Sequence, residues 1–256
     1  MPFSTSGNIR FWEFNIFKDR KEIRCVFSTR HSKNFGDTRD SGNFNLGFTV
    51  SADHENVNEN RTVFLEESGG NKESRAIGKQ VHSLNVRNID IAGVYEETDG
   101  MLTKTKGLSL IVSVADCLPI FLYDPENGAI GTVHSGWKGT KGGILTNAIN
   151  LMSDSFGTSP SNLLCAVGPS IESACYEVGE EVATQFDDEF LKDSGEGKYQ
   201  LDLKAANVAQ MLAAGVLSGN IEVSDICNRC DADNFFSHRR EGEKSGRMWG
   251  LIRLES

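Results

Sequence analysis

One cysteine and two histidines stand in motifs that could build a metal site. Cys117 lies in ADCLP, directly after an apolar run, His134 lies in TVHSGWKG, and His82 lies in KQVHS. A thiolate and two imidazoles suit Zn²⁺, and three protein ligands leave a fourth position for water or substrate. A water bound there has a lowered pKa and can act as a nucleophile. The spacing leaves two other interpretations open: a nucleophilic pair of Cys117 and His134, and a structural cysteine near an ordinary surface histidine.

Two cationic segments could bind an anion. Residues 135–143, SGWKGTKGG, do not match the Walker pattern, but they put Lys138 just before a predicted helix and Trp137 where it could stack on a flat ring. Residues 237–247, SHRREGEKSGR, include Arg239 and could clamp a phosphate. The simpler interpretations are a tight turn with a packed tryptophan and a solvated charged loop.

Cys227 and Cys230 form a C-x-x-C motif. A structural zinc would need two further ligands, and His238 is the histidine nearest to them in the sequence. A redox pair would need a helix N-terminus behind the first cysteine. Both are partial matches, so a turn in which two cysteines happen to fall is the simplest interpretation.

The composition restricts the classes of function. The chain has 256 residues, with 26 Lys and Arg against 36 Asp and Glu, which gives a net charge of −10. This acidity disfavours a nucleic-acid surface, which needs a basic stripe. No apolar run approaches the roughly 18 residues of a membrane span, and the first residues lack the apolar core of a signal peptide. The six dispersed cysteines are typical of reduced thiols, so we expect a cytoplasmic protein.

The segments around Cys117 and His134 predict how the two residues meet. Residues 108–115, LSLIVSVA, predict a strand buried on both faces, and residues 119–123 and 129–134 predict two further strands. Residues 124–128, DPENG, have the proline and glycine of a turn. Because this turn folds the third strand onto the second, Cys117 and His134 should lie at the same edge of one sheet. Periodicity does not place His82.

The remaining segments alternate between predicted helices and strands. Apolar spacing predicts helices at 144–156, 178–190 and 203–214, strands at 163–167 and 221–226, and the opening of a helix at 61–67. The polar residues 32–60 and 192–198 predict loops. This order predicts a single α/β domain over residues 1–256, with a mixed β-sheet core covered by helices.

Six motifs occur in an order that indicates a family. They are KQVHS, SVADCLPI, GTVHSGWKG, VGPSIESACYEVG, DLKAAN and FFSHRREGEKSGR, preceded by FSTR and FNLG. From about Val26 to Arg253 the chain resembles the YfiH/laccase-domain family, whose members are called polyphenol oxidase, peptidoglycan editing factor or purine nucleoside phosphorylase. The resemblance implies a zinc site of His82, Cys117 and His134. It also implies an α/β fold similar to cysteine-hydrolase-like toxin catalytic domains.

The resemblance further implies an activity on nucleosides. It suggests phosphorolysis of adenosine, inosine, guanosine and methylthioadenosine, together with adenosine deamination, so nucleoside and phosphate are the expected partners. Beside the three metal ligands we predict Asp116 as a proton carrier. The predicted substrate-binding residues are Arg30, Asn45 of FNLG, Arg61, Trp137, Lys138 and Arg239. Lys138 stands where arginine is common in the family, which keeps the charge but loses the bidentate fork.

Two other functions stay open at this stage. A copper-dependent polyphenol oxidase with a trinuclear cluster and a blue-copper centre would need about ten imidazoles, and the sequence has five histidines. A zinc-stabilised factor that edits peptidoglycan precursors would turn over no nucleoside. The sequence does not fix the oligomeric state.

Overall fold

Two large sheets and one small sheet form the framework. The computed structural model describes residues 3–7, 9–31, 44–48 and 53–255. In these ranges the strands are β1 (Phe3–Ser6), β2 (Ile9–Glu13), β3 (Ile23–Ser28), β4 (Arg75–Gly78), β5 (Val86–Asn88), β6 (Gly93–Tyr95), β7 (Gly100–Thr103), β8 (Ser109–Val114), β9 (Leu118–Asp124), β10 (Ala129–Ser135), β11 (Leu164–Val167), β12 (Glu177–Gly179), β13 (Leu191–Gly195), β14 (Lys198–Leu201), β15 (Ile221–Val223) and β16 (Met248–Leu254). The α-helices are α1 (His54–Glu67), α2 (Trp137–Gly142), α3 (Ile144–Phe156), α4 (Glu180–Ala183), α5 (Leu203–Ala213) and α6 (His238–Glu241).

The strand order mixes neighbours in sequence with crossovers. The first sheet has the order β1-β2-β3-β16-β8-β4-β6, the second β15-β11-β9-β10-β7-β5, and the small sheet β12-β14-β13. In the first sheet β4 runs parallel to β8 and β6, whereas β16 runs antiparallel to β3 and β8. The predicted α/β architecture with mixed sheets is therefore confirmed. No helix in the described ranges is both long and apolar enough to span a membrane.

The hairpin of β9 and β10 brings two of the candidate ligands together. Both strands are buried along their whole length, as their apolar composition requires at the centre of a sheet. Asp124 closes the turn by accepting hydrogen bonds from the backbone amides of Glu126 and Asn127, at 3.0 and 3.1 Å. The register pairs His134 with Pro119. Cys117 and His134 therefore lie at the same edge of the sheet, as predicted.

Helix α3 covers the second sheet. The helix ends at Gly157, which adopts the left-handed conformation at φ 75° and donates its amide to the carbonyls of Met152 and Ser153, a common helix stop. Its buried residues recur every three or four positions and join the core beneath β9 and β10: Ile144, Leu145, Ala148, Ile149 and Met152. The predicted helix at 144–156 is confirmed.

Two predicted elements are wrong because their residues pair as β-strands. Residues 178–190 were expected to form one helix, but β12 pairs with β14 and the α-helix is confined to α4. Residues 192–198 were expected to form a loop, but β13 and β14 form a hairpin. Gly195 and Gly197, both with positive φ, make its tight tip.

Two other elements have bounds that differ from the predicted ones, the helix α1 and the strand β15. Asp53 caps α1 by accepting from the amides of Glu55 and Asn56, so the helix begins within the polar stretch predicted as loop, and residues 61–67 are its second half. The strand predicted at 221–226 ends at Val223. Residues 32–43 and 49–52 of the predicted loop lie outside the described residues.

Candidate metal centre

The structure brings Cys117, His134 and His82 together. Cys117 directly precedes β9, His134 lies in β10, and His82 lies in the segment between β4 and β5. The Cys117 Sγ atom is 3.8 Å from Nε2 of His82, and one ligand atom from each residue lies within 4.8 Å of the others. The two imidazole rings are 4.8 Å apart, centroid to centroid, at 70°. Two imidazoles and a thiol at such separations suit a single ion.

Asp99 fixes both histidines, and sequence reasoning did not find it. Its Oδ1 atom pairs with Nδ1 of His134 at 2.8 Å and accepts the backbone amide of His82 at 3.1 Å. Its Oδ2 atom accepts from the backbone amides of Val81 and Ser83 at 3.1 and 2.8 Å and from the Ser83 hydroxyl at 2.7 Å. A carboxylate behind a ligating histidine orients the ring and raises its basicity. The motif TDG carries no signal of this role in the sequence.

Gly136 leaves the space that the ligands occupy. A Cβ at this position would lie 2.9 Å from Cys117 Sγ and 3.0 Å from Cδ2 of His82, so any larger residue would displace a ligand. His82 itself adopts a left-handed backbone with φ 59°, a conformation that costs energy outside glycine and asparagine and that clusters at functional sites. The amides held by Asp99 stabilise this conformation.

Cys117 and His134 shift each other's pKa in opposite directions. Burial alone would raise the pKa of Cys117, but the imidazoles of His134 and His82 lower it to about 6. Burial alone would lower the pKa of His134, but the Cys117 thiolate and the Asp99 carboxylate raise it to about 9. The thiolate is the form of cysteine that binds metals. The lowered pKa of Cys117 therefore favours the form of the side chain that a metal cation binds.

One cavity of about 850 Å³ contains the three ligands and a group of cations. The lining residues include Cys117, His82 and His134. Among the described residues the charged or titratable side chains that share the lining are Arg61, Arg75, Lys79, His238, Glu243 and Arg247. Four cationic side chains against one carboxylate make the cavity attractive to anions in a protein of net charge −10.

Arg61 is held in the cavity wall by a hydrogen bond and two aromatic rings. Its Nε atom donates to the carbonyl of Leu46 at 2.8 Å. The guanidinium lies over the rings of Phe48 and Trp249, at 3.9 and 4.6 Å from their centroids. Burial, together with the nearby charge of Arg75, lowers the pKa of Arg61 to about 10. A partly buried guanidinium binds an anion more strongly than a fully exposed one.

Asn45 positions the cavity wall from behind. It is buried, and its Oδ1 atom accepts the backbone amides of Gly47 and Arg247, at 2.9 and 2.8 Å. Gly47 and Arg247 line the cavity, whereas Asn45 does not. The structure therefore gives Asn45 a positioning contact.

Comparison with known proteins decides the family. The family model described as Multi-copper polyphenol oxidoreductase laccase matches residues 24–255. The chain belongs to this laccase family. A purine nucleoside phosphorylase from Bacteroides thetaiotaomicron is 33% identical over 266 residues, which covers 94% of this chain and 98% of the relative. Adenosine deaminase RL5, from an unknown prokaryotic organism, is 34% identical over 246 residues, which covers 89% of this chain and 93% of the relative.

The fold is likewise shared with solved structures. YlmD from Geobacillus stearothermophilus superposes with a TM-score of 0.89 at 29% identity, and the match covers 100% of this chain and 99% of that one. These relatives of the laccase family are named as enzymes, and the present chain is an enzyme as predicted.

Trp137 and Lys138 of this laccase-family enzyme lie away from the cavity. Trp137 begins α2 and packs against the core beneath the second sheet. Lys138 is exposed, with its Nζ atom 5.6 Å from the centroid of the Trp137 ring. Neither residue lines the cavity that holds the metal ligands. Their part in substrate binding stays a prediction.

Arg30 and Arg239 also lie outside the cavity lining. Arg30 forms an ion pair with Glu241 at 3.2 Å. The Arg239 guanidinium donates to the carbonyl of Glu177 at 2.8 Å and lies 5.1 Å from the ring centroid of Tyr176. Of the arginines that line the cavity, Arg75 was missed because it stands in no motif, whereas Arg247 belongs to the segment 237–247 predicted as a phosphate clamp.

Asp116 precedes Cys117 in the chain and is buried, but it does not line the cavity. Its Oδ2 atom accepts the backbone amide of Arg239 at 2.6 Å, while Oδ1 is buried without a hydrogen-bond partner among the described residues. Burial raises the pKa of Asp116 above its ordinary value. Its backbone has φ 86°, in the left-handed region that aspartate tolerates better than most residues.

Proposed function

We propose that this enzyme is a zinc-dependent purine nucleoside phosphorylase that also deaminates adenosine. The observation that carries the proposal is the shared cavity, in which a thiol and two imidazoles face the same space as three guanidinium groups. The cavity of about 850 Å³ is in the size range of small-molecule sites. The names of the relatives, purine nucleoside phosphorylase and adenosine deaminase, support the same assignment.

His82, Cys117 and His134 would hold the zinc ion. A thiolate with two imidazoles is a borderline-soft donor set that fits zinc, and Gly136 leaves room for the ligands to meet. Because Asp99 occupies Nδ1 of His134, Nε2 is the ring nitrogen left for a metal. Bound zinc supplies Lewis-acid polarisation and activation of water, the chemistry that deamination requires.

Arg61, Arg75 and Arg247 would bind the phosphate. Each guanidinium already donates to a backbone carbonyl at 2.8 to 3.1 Å, which orients it and leaves further N–H donors. Nε of Arg75 is buried without a hydrogen-bond partner among the described residues. Charge-assisted bonds from guanidinium groups match the oxygen geometry of phosphate.

The reaction needs these groups to orient phosphate toward the sugar. A phosphate oxygen bonds to C1′ of the ribose while the bond from C1′ to N9 breaks, giving ribose 1-phosphate and a free base that takes up a proton. Holding the anion in place supplies much of the rate by positioning. In deamination Asp116, with its raised pKa and unpaired Oδ1 atom, would carry the proton between the attacking water and the departing ammonia. The six free thiols support a reducing compartment, so we place the reaction in the cytoplasm.

A chromatographic assay tests the proposal. Adenosine is incubated with the enzyme with and without phosphate. We expect phosphate-dependent release of adenine and phosphate-independent formation of inosine, and both should be lost in Cys117→Ala and His82→Ala. Cys25→Ala is the matched control, since it removes a buried thiol from β3. A wild-type enzyme that converts no nucleoside would refute the proposal and favour an editing factor.

Copper-dependent phenol oxidation is the second candidate, since the description of the family names it. The centre offers two imidazoles and one thiol, far fewer than the roughly ten imidazoles of a multicopper oxidase. Phenol oxidation measured on copper-loaded and zinc-loaded enzyme separates the candidates. We expect zinc to support nucleoside turnover and copper-dependent oxidation to be slow beside it.

A further inference from the structure

Three cysteines outside the active cavity converge on one point. Sγ of Cys175 lies 3.2 Å from Sγ of Cys230, and the sulfur atoms of Cys175, Cys227 and Cys230 all lie within 4.8 Å of one another. Two sulfurs that share a tetrahedral zinc at about 2.3 Å stand roughly 3.8 Å apart. The C-x-x-C motif thus gains its third member from a segment more than fifty residues upstream, which its sequence spacing does not reveal.

Backbone groups shape the turn that carries Cys227 and Cys230, and one backbone amide contacts a sulfur atom. The amides of Cys230 and Asp231 donate to the carbonyl of Cys227, at 3.1 and 2.9 Å, which closes the turn between the two cysteines. The amide of Glu172 lies 3.5 Å from Sγ of Cys227.

A positive charge also faces the cluster. The guanidinium of Arg229 donates to Sγ of Cys175 at 3.3 Å. Burial alone would raise the pKa of Cys175, but Arg229 and the neighbouring thiols lower it. The Cys175 sulfur raises the pKa of Cys230 to about 12, because a second thiolate beside the first is unfavourable.

The two segments that carry the thiols are held together independently of any metal. Nζ of Lys204 forms an ion pair with Glu172 and donates to the carbonyls of Ser224 and Ile226, the latter two at 2.7 and 3.1 Å. Ser170 forms a parallel bridge with Cys227. This scaffold fixes the relative position of the cysteines, so removing one thiol should leave the fold intact.

We propose that Cys175, Cys227 and Cys230 form a second metal site that binds a thiophilic d¹⁰ cation of the zinc class through three thiolates. Binding releases the protons of the thiols that are still protonated. Three thiolates and a divalent ion leave one negative charge, which Arg229 balances. Cys230 is exposed, so water fills the fourth position. The site ties residues 172–175 to the turn at 227–230, next to Tyr176, on which Arg239 packs.

The test isolates this site by removing the other one. The double variant His82→Ala/Cys117→Ala lacks two of the three ligands of the active centre. Prepared metal-free under reducing conditions and titrated with Co²⁺, it should bind about one equivalent and develop the intense near-ultraviolet band of sulfur-to-cobalt charge transfer. Adding Cys230→Ser should abolish that band, and adding Cys25→Ser should leave it unchanged. Zinc analysis of the double variant, purified from zinc-supplemented cells, should likewise give about one ion per chain.

Two results would overturn the site. The first is a double variant that is folded by circular dichroism yet binds no Co²⁺ at micromolar concentrations. The second is protein that carries a disulfide between two of the three cysteines when alkylated directly from cells, since that would assign the cluster to redox chemistry. Neither measurement uses nucleoside turnover, so each outcome is independent of the proposed activity.

Discussion

Asp99 and His134 form a buried contact at the candidate metal centre. Oδ1 of Asp99 lies 2.8 Å from Nδ1 of His134, and both side chains are almost wholly buried. The same carboxylate holds the amides of Val81, His82 and Ser83. Burial alone would raise the pKa of Asp99, but the bonds from His134 and Ser83 hold it far below its ordinary value. One carboxylate therefore contacts two candidate metal ligands, His82 and His134, that lie fifty-two residues apart in sequence.

Replacing that carboxylate should weaken the metal centre. In Asp99→Asn the amide nitrogen faces backbone N–H groups, and the ring of His134 loses its charged partner. We expect zinc affinity at the centre to fall by about 10- to 100-fold, measured by competition with a chromophoric chelator in the Cys230→Ser background. Asp90→Asn, at an exposed position, is the control. An unchanged zinc affinity in Asp99→Asn would show that Asp99 does not support the metal centre.

A methyl group at Gly136 should disturb the ligands directly. The Cβ of Gly136→Ala would meet Cys117 Sγ at 2.9 Å and His82 Cδ2 at 3.0 Å, so one ligand must move. We expect a stability loss of about 1–3 kcal/mol and at least a tenfold loss of zinc affinity. Gly219→Ala, where nothing lies within 4 Å, should change neither. Chemical unfolding and chelator competition measure the two effects. Wild-type zinc binding by Gly136→Ala would show that the ligands do not meet as described.

Removing a cavity guanidinium should affect phosphate more than nucleoside. In Arg75→Met the cavity loses a cation whose buried Nε lacks a partner. We expect the KM for phosphate to rise by about 10- to 100-fold, equivalent to roughly 1.5–3 kcal/mol for bonds to a charged group. Phosphate-independent formation of inosine should persist. Arg87→Met, at an exposed arginine outside this cavity, serves as control. Equal losses of both activities would argue against a phosphate site at Arg75.

The turn between β9 and β10 should make stability depend on pH. Burial alone would raise the pKa of Asp124, but the nearby Thr158 hydroxyl and the hydrogen bonds from the Asn127 side chain and from the amides of Asn127 and Glu126 lower it below 3.8. A carboxyl group whose pKa is lower in the folded than in the unfolded chain stabilises the fold at pH values above its unfolded-state pKa. This stabilisation is lost as the pH falls through its folded-state pKa. Asp124→Asn should therefore cost about 1.5–3 kcal/mol at pH 7, and the cost should shrink as the pH falls from about 5 toward 2.

Urea unfolding at several pH values measures that cost. The exposed Asp154→Asn should show little change at any pH. A deficit in Asp124→Asn that stays constant down to pH 2 would mean that the charge of Asp124 does not stabilise the turn.

Local patterns in the sequence were sufficient for the centre of the fold. The apolar runs and the DPENG turn predict β8, β9 and β10, and hence the approach of Cys117 to His134, because a tight hairpin sets its own register. His82 needed the family resemblance, since it reaches the others through pairing of distant strands. Asp99 was missed for the same reason.

The helix predicted for residues 178–190 is wrong because part of this segment pairs with β14. Val178 pairs with Tyr199, and that contact outweighs the helical pattern of residues 178–190. Cys175 escaped notice because its partners Cys227 and Cys230 lie on a different segment. Arg75 reaches the cavity through tertiary packing, which no local pattern encodes.

Anomalous diffraction at the zinc and copper absorption edges tests the central claim most directly. Crystals of the enzyme purified without added metal are measured on both sides of each edge. The account predicts a zinc peak within bonding distance of Cys117 Sγ and of a ring nitrogen of both His82 and His134. A copper peak there, or no peak in crystals of active enzyme, would contradict it.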